Sequence, residues 1–158
     1  SRSGTAMHRS EWMVGIMQYK FTIPGRLDGL NDYTTANRTK YNVGGKMKRT
    51  NEDTVIWCIR QQLHGVHIEK PVLIYYHCFE KDNRRDGDNI LYCATKFIQD
   101  SLTKTKVLQE DNRRCIPHFY HDVSVDKGNP RIEVTITELT PEQAKMKLKD
   151  LLKNLETG

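Results

Sequence analysis

Pro71-Val72-Leu73-Ile74-Tyr75-Tyr76-His77-Cys78-Phe79 is a continuous apolar and aromatic run, too short for a typical helix and rich in strand formers. It reads as a strand buried on both faces, the centre of a sheet. After it, Ile90, Ala94, Phe97, Ile98 and Leu102 repeat on one helical face, predicting a helix from about Asn89 to Lys104 with Asn89 as its cap. Before it, Thr50 is a cap candidate, followed by Glu52 and Asp53, by Val55, Ile59 and Leu63 four apart, and by Gly65 as a stop. Further out, Gln18 to Ile23 alternates apolar with polar and ends at Pro24-Gly25, as a half-buried strand does. Residues 117–125 and 131–139 read as two strands of a hairpin joined by Asp126-Lys127-Gly128-Asn129-Pro130. Thr140-Pro141-Glu142-Gln143 combines a cap, an N1 proline and a capping-box glutamine, and opens an amphipathic helix carrying Leu148, Leu151, Leu152 and Leu155. The expected fold is α/β, one small mixed β-sheet packed with helices in a single domain.

Length and composition agree with one globular domain: 158 residues, 37% of them hydrophobic. The excess of 25 Lys and Arg over 20 Asp and Glu gives +5 and favours a polyanionic partner. Cys58, Cys78, Cys93 and Cys115 are scattered with no C-x-x-C pair, which suggests neither a disulfide framework nor a zinc knuckle and fits a reducing cytoplasm. No apolar run approaches the roughly 18 to 20 residues of a membrane span, so no membrane partner is expected. Residues 1–6, before Met7, read as a tag remnant; residues 7–140 are taken as the main domain and 141–158 as a helical extension.

The stretch from Arg26 to Met47 is polar, without sustained period, and interleaves Asn31, Tyr33, Asn37, Arg38, Lys40 and Tyr41. It predicts a long loop of a composition that suits nucleic acid, with Arg38 and Lys46 inside it and Lys48 and Arg49 just beyond it as candidate phosphate contacts.

The chemistry concentrates at Asn83-Arg84-Arg85-Asp86-Gly87-Asp88-Asn89, between the central strand and the following helix. In an extended segment, residues i and i+2 point to one side roughly 6 to 7 Å apart, so Asp86 and Asp88 can close on one hard cation. A solvated turn or a helix cap is the alternative reading of the same two acids. An EF-hand beginning at Asp82 is excluded, because Arg84 stands where an acid is needed and Cys93 where the bidentate glutamate belongs. Arg84, Arg85, Arg113 and Arg114 bracket the carboxylates, and Lys96 lies two turns beyond Asp88. Acids for a metal beside bases for phosphate point to phosphodiester chemistry, which needs cations where charge develops and an activated water in line with the leaving oxygen.

Three ordered runs carry a resemblance: Arg84-Arg85-Asp86-Gly87-Asp88-Asn89-Ile90, then Lys96-Phe97-Ile98-Gln99-Asp100-Ser101-Leu102, then Val107-Leu108-Gln109-Glu110-Asp111. Together they resemble the RusA family of Holliday junction resolvases, in the longer-spaced version of its phage and prophage members, over roughly residues 19–139. The resemblance implies a magnesium-dependent homodimeric endonuclease that resolves four-way junctions by paired nicks in DNA recombination and repair, each subunit contributing one acidic site. It assigns the metal to Asp86, Asp88 and Asp111 and an assisting role in cleavage to Lys96, and leaves Glu110 beside Asp111 as a further candidate ligand. Arg84, Arg85 and Arg113 join the DNA-binding set. A more general branched-DNA or flap nuclease, and a non-catalytic nucleic-acid-binding module, are the rival expectations. A zinc site of Cys115, His118 and His121 is disfavoured, since Pro117 breaks any helix there and His118 and His121 face opposite ways along a strand.

Overall fold

The computed structural model describes residues 17–25, 27, 43–84 and 87–157, giving the backbone alone for 43–44 and 87–93. The expected tag remnant, Arg38, Arg85 and Asp86 fall outside the described residues, as does most of the expected loop. Four strands, β1 (Gln18–Pro24), β2 (Val72–Glu80), β3 (His118–Val125) and β4 (Arg131–Glu138), form one sheet in the order β1-β4-β2-β3. Helices α1 (Val43–Gln62) and α2 (Gly87–Lys104) cover one face; α3 (Pro141–Lys145) and α4 (Leu148–Thr157) lie on the other. The small mixed sheet packed with helices is thus the observed architecture.

The alternation of β2 explains its central place. Val72, Ile74, Tyr76 and Cys78 point into the main core, with Val55, Ile59, Ala94, Phe97, Ile98 and Leu102 from the two long helices. Leu73 points the other way and joins Leu139 and Leu151 in a second cluster under α4. A strand wanted on both faces belongs inside a sheet.

That preference overturns the expected hairpin. The two strands at 118–125 and 131–138 exist, but they do not pair with each other: β2 lies between them, parallel to β3 (Leu73 opposite His118) and antiparallel to β4 (Leu73 opposite Thr137). The link from Asp126 to Pro130 arches over the end of β2, where the Asp126 amide donates to the Glu80 carbonyl at 2.7 Å. Five residues easily span the two inter-strand gaps of about 10 Å.

Helix α1 starts at Val43, not at Thr50. The Thr50 hydroxyl donates back to the Lys46 carbonyl (3.0 Å), as Thr54 does to Thr50 (3.1 Å), so it is a helix-interior hydroxyl and not a cap. Lys46, expected in the loop, consequently stands on a helix, and Lys48 and Arg49 stand on it too. Helix α2 begins at Gly87, which puts Asn89 inside its first turn instead of at the cap.

At the C-terminus the capping box is present: Thr140 Oγ1 accepts from the Gln143 amide (3.1 Å) and Gln143 Oε1 from the Thr140 amide (2.9 Å). The single expected helix is broken at Met146, whose backbone is extended. The Met146 carbonyl lies 2.6 Å from Nε2 of His118, so the break fastens the helical pair to β3. Leu151 is fully buried against Leu73 and Leu139. Leu151→Ala is expected to lower unfolding stability by about 2 to 5 kcal/mol, read by urea titration; no loss would mean that α4 does not hold to the sheet.

Candidate functional site

Strand β2 delivers the chain to the acidic segment at one end of the sheet. It ends at Glu80, residues 81–84 form a turn in which the Arg84 amide donates to Asp82 Oδ1 (2.9 Å), and α2 opens at Gly87. The backbone of Asp88 is therefore helical, in the first turn of α2. The extended i, i+2 geometry expected of Asp86 and Asp88 does not hold at Asp88. A carboxylate in that turn is favoured by the helix dipole even without a metal.

Asp111 lies at the opposite end. Beyond Lys104 the chain turns through Lys106, which adopts positive φ (66°), and runs beside the entry to β2: the Ile68 amide donates to the Val107 carbonyl (2.8 Å) and the Val72 amide to the Cys115 carbonyl (2.9 Å). The stretch of α2 from Asp88 to Lys104 alone is roughly 24 Å long. One subunit does not bring Asp88 and Asp111 together. Among the described residues no three His, Cys, Asp or Glu side chains cluster as a metal set; Asp86 and the side chain of Asp88 are not among them.

Glu110 and Asp111 differ in their surroundings. Glu110 Oε2 accepts from Asn112 Nδ2 at 2.7 Å and from Arg114 at 3.2 Å. Asp111 is exposed and has no hydrogen bond or ion pair among the described residues, leaving both its oxygens open.

The cations sort the same way. Lys104 is tied to buried Glu52, whose carboxylate raises the lysine pKa, and Lys48 bridges Glu52 (3.7 Å) and Asp100 (3.6 Å) between α1 and α2. Arg114 is held by Glu110, Arg84 by Asp82, and Arg131 by Asp126 and Glu133 while its guanidinium stacks over Phe79 at 3.8 Å. Lys46, Arg49, Lys96 and Arg113 are exposed and carry no ion pair among the described residues. Of the expected phosphate contacts, Lys48 is thus the one spent on holding the two helices together.

The chain matches no family model and no curated protein.

Trp57 is a residue the sequence reading passed over. It is 64% exposed on α1, on the face opposite Val55 and Ile59, with Lys46 and Arg60 along the same outer stripe. The signal was available, since Trp57 falls two residues from each of two core positions, half a turn out of phase. Aromatic and cationic side chains on one exposed face suit a nucleic acid, through stacking and phosphate contact.

The disfavoured zinc reading stays so: His118 and His121 fall on opposite faces of β3, and His118 is occupied by the Met146 carbonyl.

Proposed function

We propose that this protein is a magnesium-dependent endonuclease of branched DNA, resolving four-way junctions as a homodimer. The observation that carries the reading is the order of the RusA-like positions along the chain: the first turn of α2 holds Asp88, the same helix holds Lys96, and the loop after it holds Asp111, which has no partner among the described residues. Because Asp88 and Asp111 stand at opposite ends of α2, the three-aspartate site is completed across the dimer, Asp86 and Asp88 of one subunit facing Asp111 of the partner subunit. Two such sites related by a two-fold axis suit the paired nicking of a two-fold symmetric junction.

Magnesium held there supplies charge for the phosphoryl oxygens and a more acidic water. The chain's own residues do the rest. Lys96, exposed on α2, sits near developing negative charge, and Lys46, Arg49 and Arg113 hold the phosphate backbone. Losing both Lys46 and Arg49 to alanine should flatten the salt dependence of junction binding by about two units of log-log slope, whereas Lys48→Ala should change it little. An unchanged slope in the double variant puts the DNA elsewhere.

A second reading, a non-catalytic nucleic-acid-binding module, is favoured by the place of Asp88 in the first turn of a helix, where an acid needs no metal. The experiment that separates the two is incubation with a synthetic four-way junction, flap, duplex and single strand, with magnesium and with chelator. Symmetric nicks confined to the junction and to magnesium are expected. Cutting of flaps at a similar rate would favour a general branched-DNA nuclease, and binding without cutting the module.

A further inference from the structure

The side chain of Glu52 on α1 is buried, 3% exposed, and a carboxylate stays charged in such a place only with cations beside it. Two lysines supply them, one from each long helix. Lys104 of α2 donates to Oε1, and Lys48 of α1 stands 3.7 Å from Oε2, which has no hydrogen bond of its own. Lys48 also reaches Asp100 of α2 at 3.6 Å. The sheet explains why these pairs line up. β1 and β2 are each antiparallel to β4, and β3 is parallel to β2, so α1 and α2, the links between parallel strands, run in the same sense. Lys48 meets Asp100, and one turn further along both helices Glu52 meets Lys104. The same register sets Lys46, near the start of α1, within about one turn of Lys96 along the axis. Of these four lysines, two are tied to a buried acid and two are exposed with no ion pair among the described residues.

We propose that Glu52 is a positioning residue for polyanion binding: its buried carboxylate draws Lys48 and Lys104 in between α1 and α2 and withholds them from phosphate, leaving Lys46 and Lys96 as the lysines that a nucleic acid meets. An ammonium that already faces a carboxylate neutralises no phosphate and releases no counterion, so it adds nothing to the salt dependence of binding. On exposure alone Lys104, 59% exposed, would count as a phosphate contact; its bond to Glu52 is what removes it. The same bond holds the Lys104 pKa above the usual lysine value. The choice of nucleic acid as the polyanion rests on the nuclease reading; the withholding does not.

The test compares Glu52→Gln with Asp53→Asn in the full chain. Asp53 is exposed and has no ion pair among the described residues, so the two variants lose the same charge and differ in whether a lysine is released. Retention on heparin and binding to a four-way junction are each followed against salt. With unchanged far-UV circular dichroism, Glu52→Gln should be steeper than Asp53→Asn by about one unit of log-log slope, the share of one freed lysine, since Lys48 still faces Asp100. Acylation at about pH 9, read by peptide mass, needs no polyanion. Lys104 should react several-fold slower than Lys46 and Lys96 in the wild type, and at their rate in Glu52→Gln. Should Glu52→Gln fail to fold, Lys104→Gln, which leaves Glu52 a donor, is expected to keep the wild-type slope. Equal slopes for Glu52→Gln and Asp53→Asn, a unit of slope lost in Lys104→Gln, or a wild-type Lys104 that acylates as fast as Lys46 would each overturn the proposal. The expected shift on heparin in a protein that binds no DNA refutes the nuclease reading and not the withholding. Nicking of junctions by a protein whose two variants have equal slopes refutes the withholding and not the nuclease.

Discussion

Asp111→Asn should fold as the wild type does, bind a four-way junction, and cut almost none of it. The side chain is exposed and has no partner among the described residues, so its loss removes no contact and should change stability by less than about 0.5 kcal/mol. Asparagine keeps the shape and one oxygen but removes the charge that binds magnesium. Loss of a residue that merely orients a ligand costs about 10- to 100-fold, so loss of the ligand itself should lower the nicking rate by at least about 100-fold. Affinity measured with chelator should hold or tighten, because an uncompensated carboxylate repels phosphate. Glu110→Gln is the matched control: Glu110 is already engaged by Asn112 and Arg114, so the rate should stay within a few-fold. Nicking near the wild-type rate by Asp111→Asn, or the reverse ranking of the two variants, would remove Asp111 from the site.

What was legible in the sequence was local. The two-sided apolar run of β2, the spacing of Ala94, Phe97, Ile98 and Leu102, and the Thr140–Gln143 capping box each report on a few neighbouring residues, and each stands where expected. Thr50 misled because a threonine followed by acids looks alike at a helix start and inside one; only its bond to the Lys46 carbonyl tells them apart. The hairpin failed for a different reason. Turn chemistry between 126 and 130 was read correctly as a reversal, but which strand fills the space between two reversed strands is decided by β2, far away in sequence. The break at Met146 is likewise set by its contact with His118 on β3. The same limit governs the site. Motif order named Asp88, Lys96 and Asp111, and periodicity placed a helix between them; that its length keeps the first and last of these apart within one subunit follows only from the path of the chain after Lys104.

That separation yields the second large effect. Asp88→Asn and Asp111→Asn should each be inactive alone, with both sites of the dimer broken. Mixed in equal amounts and allowed to exchange subunits, half of the dimers become mixed. If Asp88 of one chain works with Asp111 of the partner subunit, a mixed dimer has one doubly damaged site and one intact site. The mixture should then regain about a quarter of the wild-type nicking capacity. The products should be single nicks, not paired ones, because each mixed dimer cuts only one strand. A fragment gel of a junction labelled on two strands, with magnesium, reads both the amount and the pairing, and tags of two sizes verify that mixed dimers have formed. Rescue to about a quarter, as unpaired nicks, is the result this account predicts; a wild type that nicks the junction while verified mixed dimers of the two variants cut nothing would contradict it.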